Sequence, residues 1–351
     1  MERLWPVLQA VDSSSGALGN ATNKTVHALI EILLAAPVDL AVLERRLERL
    51  WTAIEEDGVD FLSEVGDGWG QLCRTAERAS RGAENFLPAV RLSWSPEHRA
   101  YLRGTTACLS CLLAAARHQE LVDLIATVPY IWWHCQRYGM RALAAQVHTD
   151  EAICYAEQSL GLNDSPAAIA RACEQVLLAT GRREEARADC AIEANQATTH
   201  LATFRAIQKT YPEKDPRVLL DDLIASTPEN AGRWFATAKT LGFLELAAEL
   251  AQDSPVDIGT LLRAARDRLD SQPAFALDCA TAALHWMAEG RFYEIKAGDV
   301  WRAQSHALLA AEAVGRLEPT WALIEGLIAS DATHPFFRQH LSWPFGLAVG
   351  R

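Results

Sequence analysis

The side chains best suited to chemistry are eight cysteines, ten histidines and one aromatic run, and their spacing decides what each can do. Cys108 and Cys111 form the one CxxC pair. His118 follows Cys111 by seven residues, two helical turns along the same face, and with His134 these residues outline a metal or redox centre. A closed zinc site needs four ligands, however, and neither a second cysteine pair nor paired histidines at ligand spacing accompanies this one. The preferred reading is that Cys108 and Cys111 are small apolar residues that let helices pack closely. Cys73, Cys135, Cys154, Cys173, Cys190 and Cys279 fall on separate predicted helices and form no disulfide framework.

The run Tyr130-Ile131-Trp132-Trp133-His134-Cys135-Gln136-Arg137-Tyr138 interleaves aromatic rings with His and Arg. Such a mixture suits a peptide anchor, a stacked base or a planar ligand, since Trp, Tyr and Arg dominate interface hot spots. Helical spacing places Trp133 and Arg137 on one face, with Tyr130 near them and Tyr138 following. The plainer reading makes Trp132 and Trp133 a core plug between helical hairpins, with His134 and Arg137 capping carbonyls. A second polar set runs from Asn195 to His200 and continues through Arg205, Lys214, Arg233, Trp234 and Lys239. In an array of helical hairpins, Arg171, Arg205 and Arg233 would face a common concave groove suited to an acidic peptide or a carboxylate terminus. That expectation rests on fold analogy.

Enzyme signatures are missing from the sequence. There is no glycine-rich phosphate loop, HExxH, G-x-S-x-G elbow or dinucleotide fingerprint. The adjacent carboxylates Asp221-Asp222 and Glu184-Glu185 point roughly 100° apart on a helix and do not converge on one atom. No catalytic residue and no cofactor is assigned.

These residues are positioned by helices. Alanine and leucine dominate, and apolar residues return every three or four positions over most of the 351 residues. The period predicts helices over Pro96 to Arg117, Glu120 to Ala126, Tyr130 to Val147, Asp150 to Ser159 and Ser165 to Thr180. Further helices are expected over Glu184 to Ala194, Thr199 to Tyr211, Pro216 to Ser226, Glu229 to Leu241, Phe243 to Gln252, Ile258 to Asp270, Pro273 to Ala288, Asp299 to Val314 and Pro319 to Ala329. Short links between such helices make antiparallel hairpins. Glu120-Leu121, Glu151-Ala152 and Glu185-Ala186 recur at intervals of 31 and 34 residues, within the range of a two-helix repeat. The expected architecture is all-α, a right-handed α-solenoid of stacked hairpins that is tetratricopeptide-like without meeting that consensus. Residues 1–95 read as an N-terminal helical or capping region, 96–290 as the repeat array, and 291–351 as C-terminal capping helices. The glycine-rich stretch from Glu56 to Ala83 is the least regular early segment, and Gly290 to Gly298 reads as a loop or brief strand.

The net charge of −12 disfavours a nucleic-acid backbone, which needs clustered Lys and Arg. The opening MERLWPVLQAVDSSSG has no secretory pattern, and no apolar run approaches the roughly 18 residues of a spanning helix. A cytoplasmic location without a membrane anchor is therefore expected.

Several strings carry a family resemblance: GTTACLSCLLAAARH from Gly104, HCQRYGMRALAA from His134, LNDSPAAIARACEQVLLATGR from Leu162, HLATFRAIQKTYPEKDP from His200 and ASTPENAGRWFATAKTLGF from Ala225. Together they resemble a widespread bacterial family of all-helical repeat proteins known only as a domain of unknown function. The resemblance implies a fold and brings no catalytic residues. The functional expectation is a scaffold that binds a protein or peptide, acidic in character, through Trp133, Arg137, Tyr138, Arg171, Arg205, Arg233 and Trp234. The alternative is a small-molecule or metal-dependent activity near Cys108, Cys111, His118 and His134. An uncapped array also exposes an apolar end through which a homodimer could form.

Overall fold

The computed structural model describes residues 17–37, 39–56, 62–161, 164–291 and 294–341. They form helices and turns, with no strand among the described residues, and no described helix is long and apolar enough to cross a membrane. The chain divides into two compact units, Met1–Ala194 and Asn195–Arg351.

The first unit contains α1 (Ala17–Ala35), α2 (Leu40–Glu55), a 3-10 turn (Ser63–Gly68) leading into the one-turn helix α3 (Trp69–Leu72), and α4 (Ala76–Ser93). It continues with α5 (Thr105–Ala114), α6 (His118–Ile125), α7 (Trp133–Ala145), α8 (Thr149–Gln158) and α9 (Pro166–Ala179). The short α10 (Arg183–Glu185) passes through a π-helical turn, Ala186–Cys190, into α11 (Ala191–Ala194). Neighbours in sequence are neighbours in space: α5 packs on α4, α6 and α7, and α7 packs on α6, α8 and α9. The core of α5 is almost free of water, with Ala107, Cys108, Leu109, Cys111 and Leu112 all at 0% exposure. Gly70 allows α3 to sit directly on this helix, because a Cβ there would lie 2.1 Å from the Ser110 carbonyl oxygen. The Ser110 hydroxyl fastens the contact by accepting from the Gly70 amide at 3.0 Å and donating to the Asp67 carbonyl at 2.8 Å.

The second unit contains α12 (His200–Thr210), α13 (Pro216–Ala225), a 3-10 segment (Pro228–Trp234), α14 (Phe235–Leu241) and α15 (Leu244–Asp253). Then follow α16 (Ile258–Arg268), α17 (Pro273–Ala288), α18 (Ala297–Ala313), α19 (Leu317–Ala329) and α20 (Pro335–Leu341). The central α17 is apolar on nearly every side because it packs against α15, α16, α18 and α20.

Helix starts follow their capping residues. Asp39, Thr75, Thr199, Asp215 and Asp257 accept hydrogen bonds from the first-turn amides of α2, α4, α12, α13 and α16. Six helix ends share one backbone solution. Among the described residues, Ala116, Val147, Gly181, Gly242, Gly290 and Gly315 take positive φ after a helix. At each, the amide of that residue and the next turn back onto two carbonyls of the preceding turn, as in Ala116 to Leu113 and Arg117 to Leu112. The first three positions are 31 and 34 residues apart.

Three expected helices are corrected. The helix predicted from Pro96 begins only at Thr105, because Gly104 lies against Phe86 and Trp51 and the preceding residues are pinned elsewhere. Arg103 donates to the Ile54 carbonyl at 2.7 Å, and the Ala100 amide donates to the Ser93 carbonyl at 3.0 Å. The helix predicted from Tyr130 begins at Trp133, with Trp132 extended at φ −128° and ψ 125°. The helix predicted from Glu229 opens as a 3-10 segment in which Asn230 leaves helical torsions and Gly232 packs against the Pro255 carbonyl.

Candidate functional site

The two shortened helices expose the loops that build the most developed site, which lies wholly in the first unit. Residues 94–104 and 128–132 form its walls, and the Ser63–Gly68 turn with the first turn of α7 closes its base. Trp132 is extended, and Tyr130 and Trp132 turn their rings to the same side. Their rings stack at 5.5 Å between centroids and 23° between planes, and His134 continues the stack at 5.3 Å and 28°. Tyr130, Ile131 and Trp132 are 53%, 57% and 42% exposed, and Tyr101 opposite is 67% exposed. Asp164, from the link before α9, holds this geometry by accepting from the Trp133 amide at 3.1 Å and the Gly161 amide at 3.0 Å. A carboxylate at this position also meets the positive end of α7.

The aromatic ladder borders a cavity of about 360 Å³ that also takes in Glu64, Asp67, Arg99, Arg103 and Arg137. A second, more open cavity of about 970 Å³ adjoins it and shares Trp94, Arg99, Val128 and Pro129. Most of the charges here are already engaged. Arg137 pairs with Asp67 Oδ1 at 2.5 Å and donates from Nε to the His134 carbonyl at 3.1 Å. Arg103 caps the end of α2, and Glu64 accepts from His27 at 2.8 Å. In the second cavity Glu120 is bound by Arg91 at 2.9 Å and by Arg117, while Asp123 accepts from Gln119 at 2.9 Å. Arg99 is exposed, and its side chain has no hydrogen-bond or ion-pair partner among the described residues. Burial and the Arg137 charge push His134 below its ordinary pKa, which favours the neutral ring in the stack.

The residues expected to bind a partner are distributed differently from the helical projection. Trp133 and Tyr138 are 8% and 1% exposed and belong to the core, so the surface of the aromatic run is Tyr130 to Trp132 instead. Arg137 sits at the base of the cavity, tied to Asp67. Arg171 belongs to the first unit and donates to the Ala194 carbonyl at 3.1 Å. Arg205 and Arg233 belong to the second unit, where Arg205 is exposed and Arg233 donates to His200 Nε2 at 3.2 Å. Trp234 is 1% exposed and donates to Thr227 Oγ1 at 2.9 Å, so it is a core residue.

The metal alternative does not assemble. Cys108 and Cys111 are fully buried within α5, whereas His118 opens α6 and His134 lies on the exposed ladder. Among the described residues no group of three or more His, Cys, Asp or Glu stands where it could hold a metal ion. Burial pushes the Cys108 thiol up to about 12, and the Cys111 thiol is raised by its hydrogen bond with Cys73 and by burial.

The residues that sequence reasoning passed over are Arg99, Tyr101 and Asp164. A signal exists for the last, since Asp164-Ser165 stands directly before Pro166 at the start of α9. Its partner in α7 could not be read from spacing. The chain matches no family model, no curated protein and no solved structure.

Proposed function

We propose that the protein is a non-enzymatic helical-repeat scaffold of right-handed, solenoid type, whose first unit binds an extended peptide segment of a partner protein. The observation that carries this reading is the pair of adjoining cavities joined through Trp94, Arg99, Val128 and Pro129, with an exposed aromatic ladder along one wall. A compact ligand would fill one cavity, whereas an extended chain follows both. Large exposed aromatics grouped in a concavity mark interaction surfaces, and rigid rings lose little conformational freedom on binding. The solenoid reading is supported by the left-handed turns after α5, α7 and α9, at intervals of 31 and 34 residues, and by the packing of α5 on α7 and of α7 on α9.

Selection of a random peptide library on the immobilised protein tests the proposal. The expected result is enrichment of sequences whose binding is lost in the Tyr130→Ala, Trp132→Ala double variant while its helical circular dichroism is unchanged. Absence of enrichment, or enriched peptides that ignore the double variant, would overturn it.

A further inference from the structure

We infer that the occupant of this groove is an acidic segment carrying one aromatic side chain, with its ring laid on Trp132 and a nearby carboxylate held by Arg99. The inference rests on the reading of the groove as a peptide site and adds the chemistry of what fills it. Charge bookkeeping around the two cavities decides the sign. Asp67 is ion-paired with Arg137 and accepts from Tyr138, and Glu120 is ion-paired with Arg91 and Arg117, while Glu64 accepts from His27 and Asp123 from the neutral amide of Gln119. Arg137 and Arg103 are committed in turn to Asp67 and to the carbonyls ending α2. Among the described arginines that line the two cavities, Arg99 is the one whose side chain has no hydrogen-bond or ion-pair partner, and it stands on the wall common to both. A basic segment would meet this guanidinium and find Asp67 and Glu120 already ion-paired with arginines. An acidic segment gains a charge-assisted hydrogen bond there, and guanidinium suits a carboxylate through its planar fork.

The aromatic half follows from the ladder. Tyr130 and Trp132 are stacked and more than two-fifths exposed, with Tyr101 across the opening, so one more flat ring extends an existing stack at small entropic cost. Neither alanine nor an aliphatic residue reproduces that contact. The whole chain carries −12, which repels an acidic partner at long range. That repulsion is screened beyond about 8 Å at physiological ionic strength, whereas a pair at Arg99 that the bound segment covers is screened less. Binding should therefore hold or strengthen as salt rises from 10 to about 100 mM, opposite to a surface that recruits its partner through net charge.

Isothermal titration of the full chain with four probes tests this. The probes are an acetylated and amidated peptide of aspartates and glutamates around one tryptophan, the same peptide with alanine for tryptophan, the same with lysines for the acids, and free indole acetate. The acidic tryptophan peptide is expected to bind best, to lose about tenfold to a hundredfold in affinity in Arg99→Ala, and to lose binding in Arg99→Glu. Tighter binding of the lysine peptide, lost in the Tyr130→Ala, Trp132→Ala variant, would overturn the acidic occupant while leaving the groove a peptide site. Indole acetate binding as tightly as the peptide would overturn a peptide occupant in favour of a small aromatic acid. If no probe binds and the library selection also fails, the groove reading falls and this inference with it.

Discussion

The Tyr138 hydroxyl donates to Asp67 Oδ1 at 2.9 Å across 71 positions of sequence, and the same oxygen receives the Arg137 guanidinium at 2.5 Å. One carboxylate from a 3-10 turn thus anchors two consecutive residues of α7, one in the core and one at the base of the cavity. Removing it leaves a largely buried guanidinium and a buried phenol without their shared acceptor. Asp67→Ala is expected to destabilise the fold by about 2–3 kcal/mol, below the full cost of breaking a buried pair because Arg137 and Asp67 both retain some exposure. Tyr138→Phe should cost about 1 kcal/mol. Urea unfolding of the single and double variants measures both and shows whether the losses add.

Val147 takes φ 66° at 80% exposure, a left-handed conformation that a β-branched residue adopts only under strain. Val147→Gly is expected to stabilise the protein by about 0.5–1 kcal/mol, the relief of strain exceeding the added freedom of the unfolded chain. Gly181 is the converse case. It has φ 78° and nothing within 4 Å of an added Cβ, so Gly181→Val should lose stability through torsion alone. Melting temperatures moving in the same direction for both variants would contradict this account.

Of the eight cysteines, Cys154 is exposed and the other seven are buried. Burial pushes the thiols of Cys135 and Cys279 up to about 12, and a thiol reacts through its thiolate. A disulfide reagent should therefore modify one thiol in the native protein and all eight after denaturation. A rapid second equivalent would show that one of the buried helices opens readily.

His200, His134 and His306 all sit below the ordinary value of 6.5, with burial as the leading cause and neighbouring arginines adding to it. Each binds fewer protons folded than unfolded in this range, so stability rises with pH. The contribution is complete above about 6.5 and is lost as pH falls through the depressed folded values. Thermal melts should show a falling melting temperature from pH 7 to pH 5. His200→Gln, which keeps an acceptor for Arg233, should flatten part of that slope, and an unchanged slope would remove His200 from the explanation.

A proline in the first turn and an apolar period located several helices, though not the start of the one expected from Pro96. Pro273 to Ala288 coincides with α17, and Pro216 to Ser226 ends one residue beyond α13. The candidate site was legible as a composition, in the run from Tyr130 to Tyr138, and not as a shape. Helical spacing directed attention to Trp133 and Arg137, whereas the extended backbone before α7 presents Tyr130 and Trp132. That backbone is set by Asp164, more than thirty residues away, and the opposing wall is set by Arg103 reaching the end of α2. Both are tertiary contacts, and no periodicity within a local window encodes them.

The turns that end α5, α7 and α9 place alanine, valine and glycine in one torsional state, and glycine returns to it at 242, 290 and 315. Their likeness therefore resides in dihedral angles and amide-to-carbonyl closures, while the residue at the pivot differs and sets the strain. An aligner scoring letters penalises each such exchange, although the chain trace does not change there. A second chain built with the same closures would be recognised by its backbone dihedrals, whatever residues stand at the pivots.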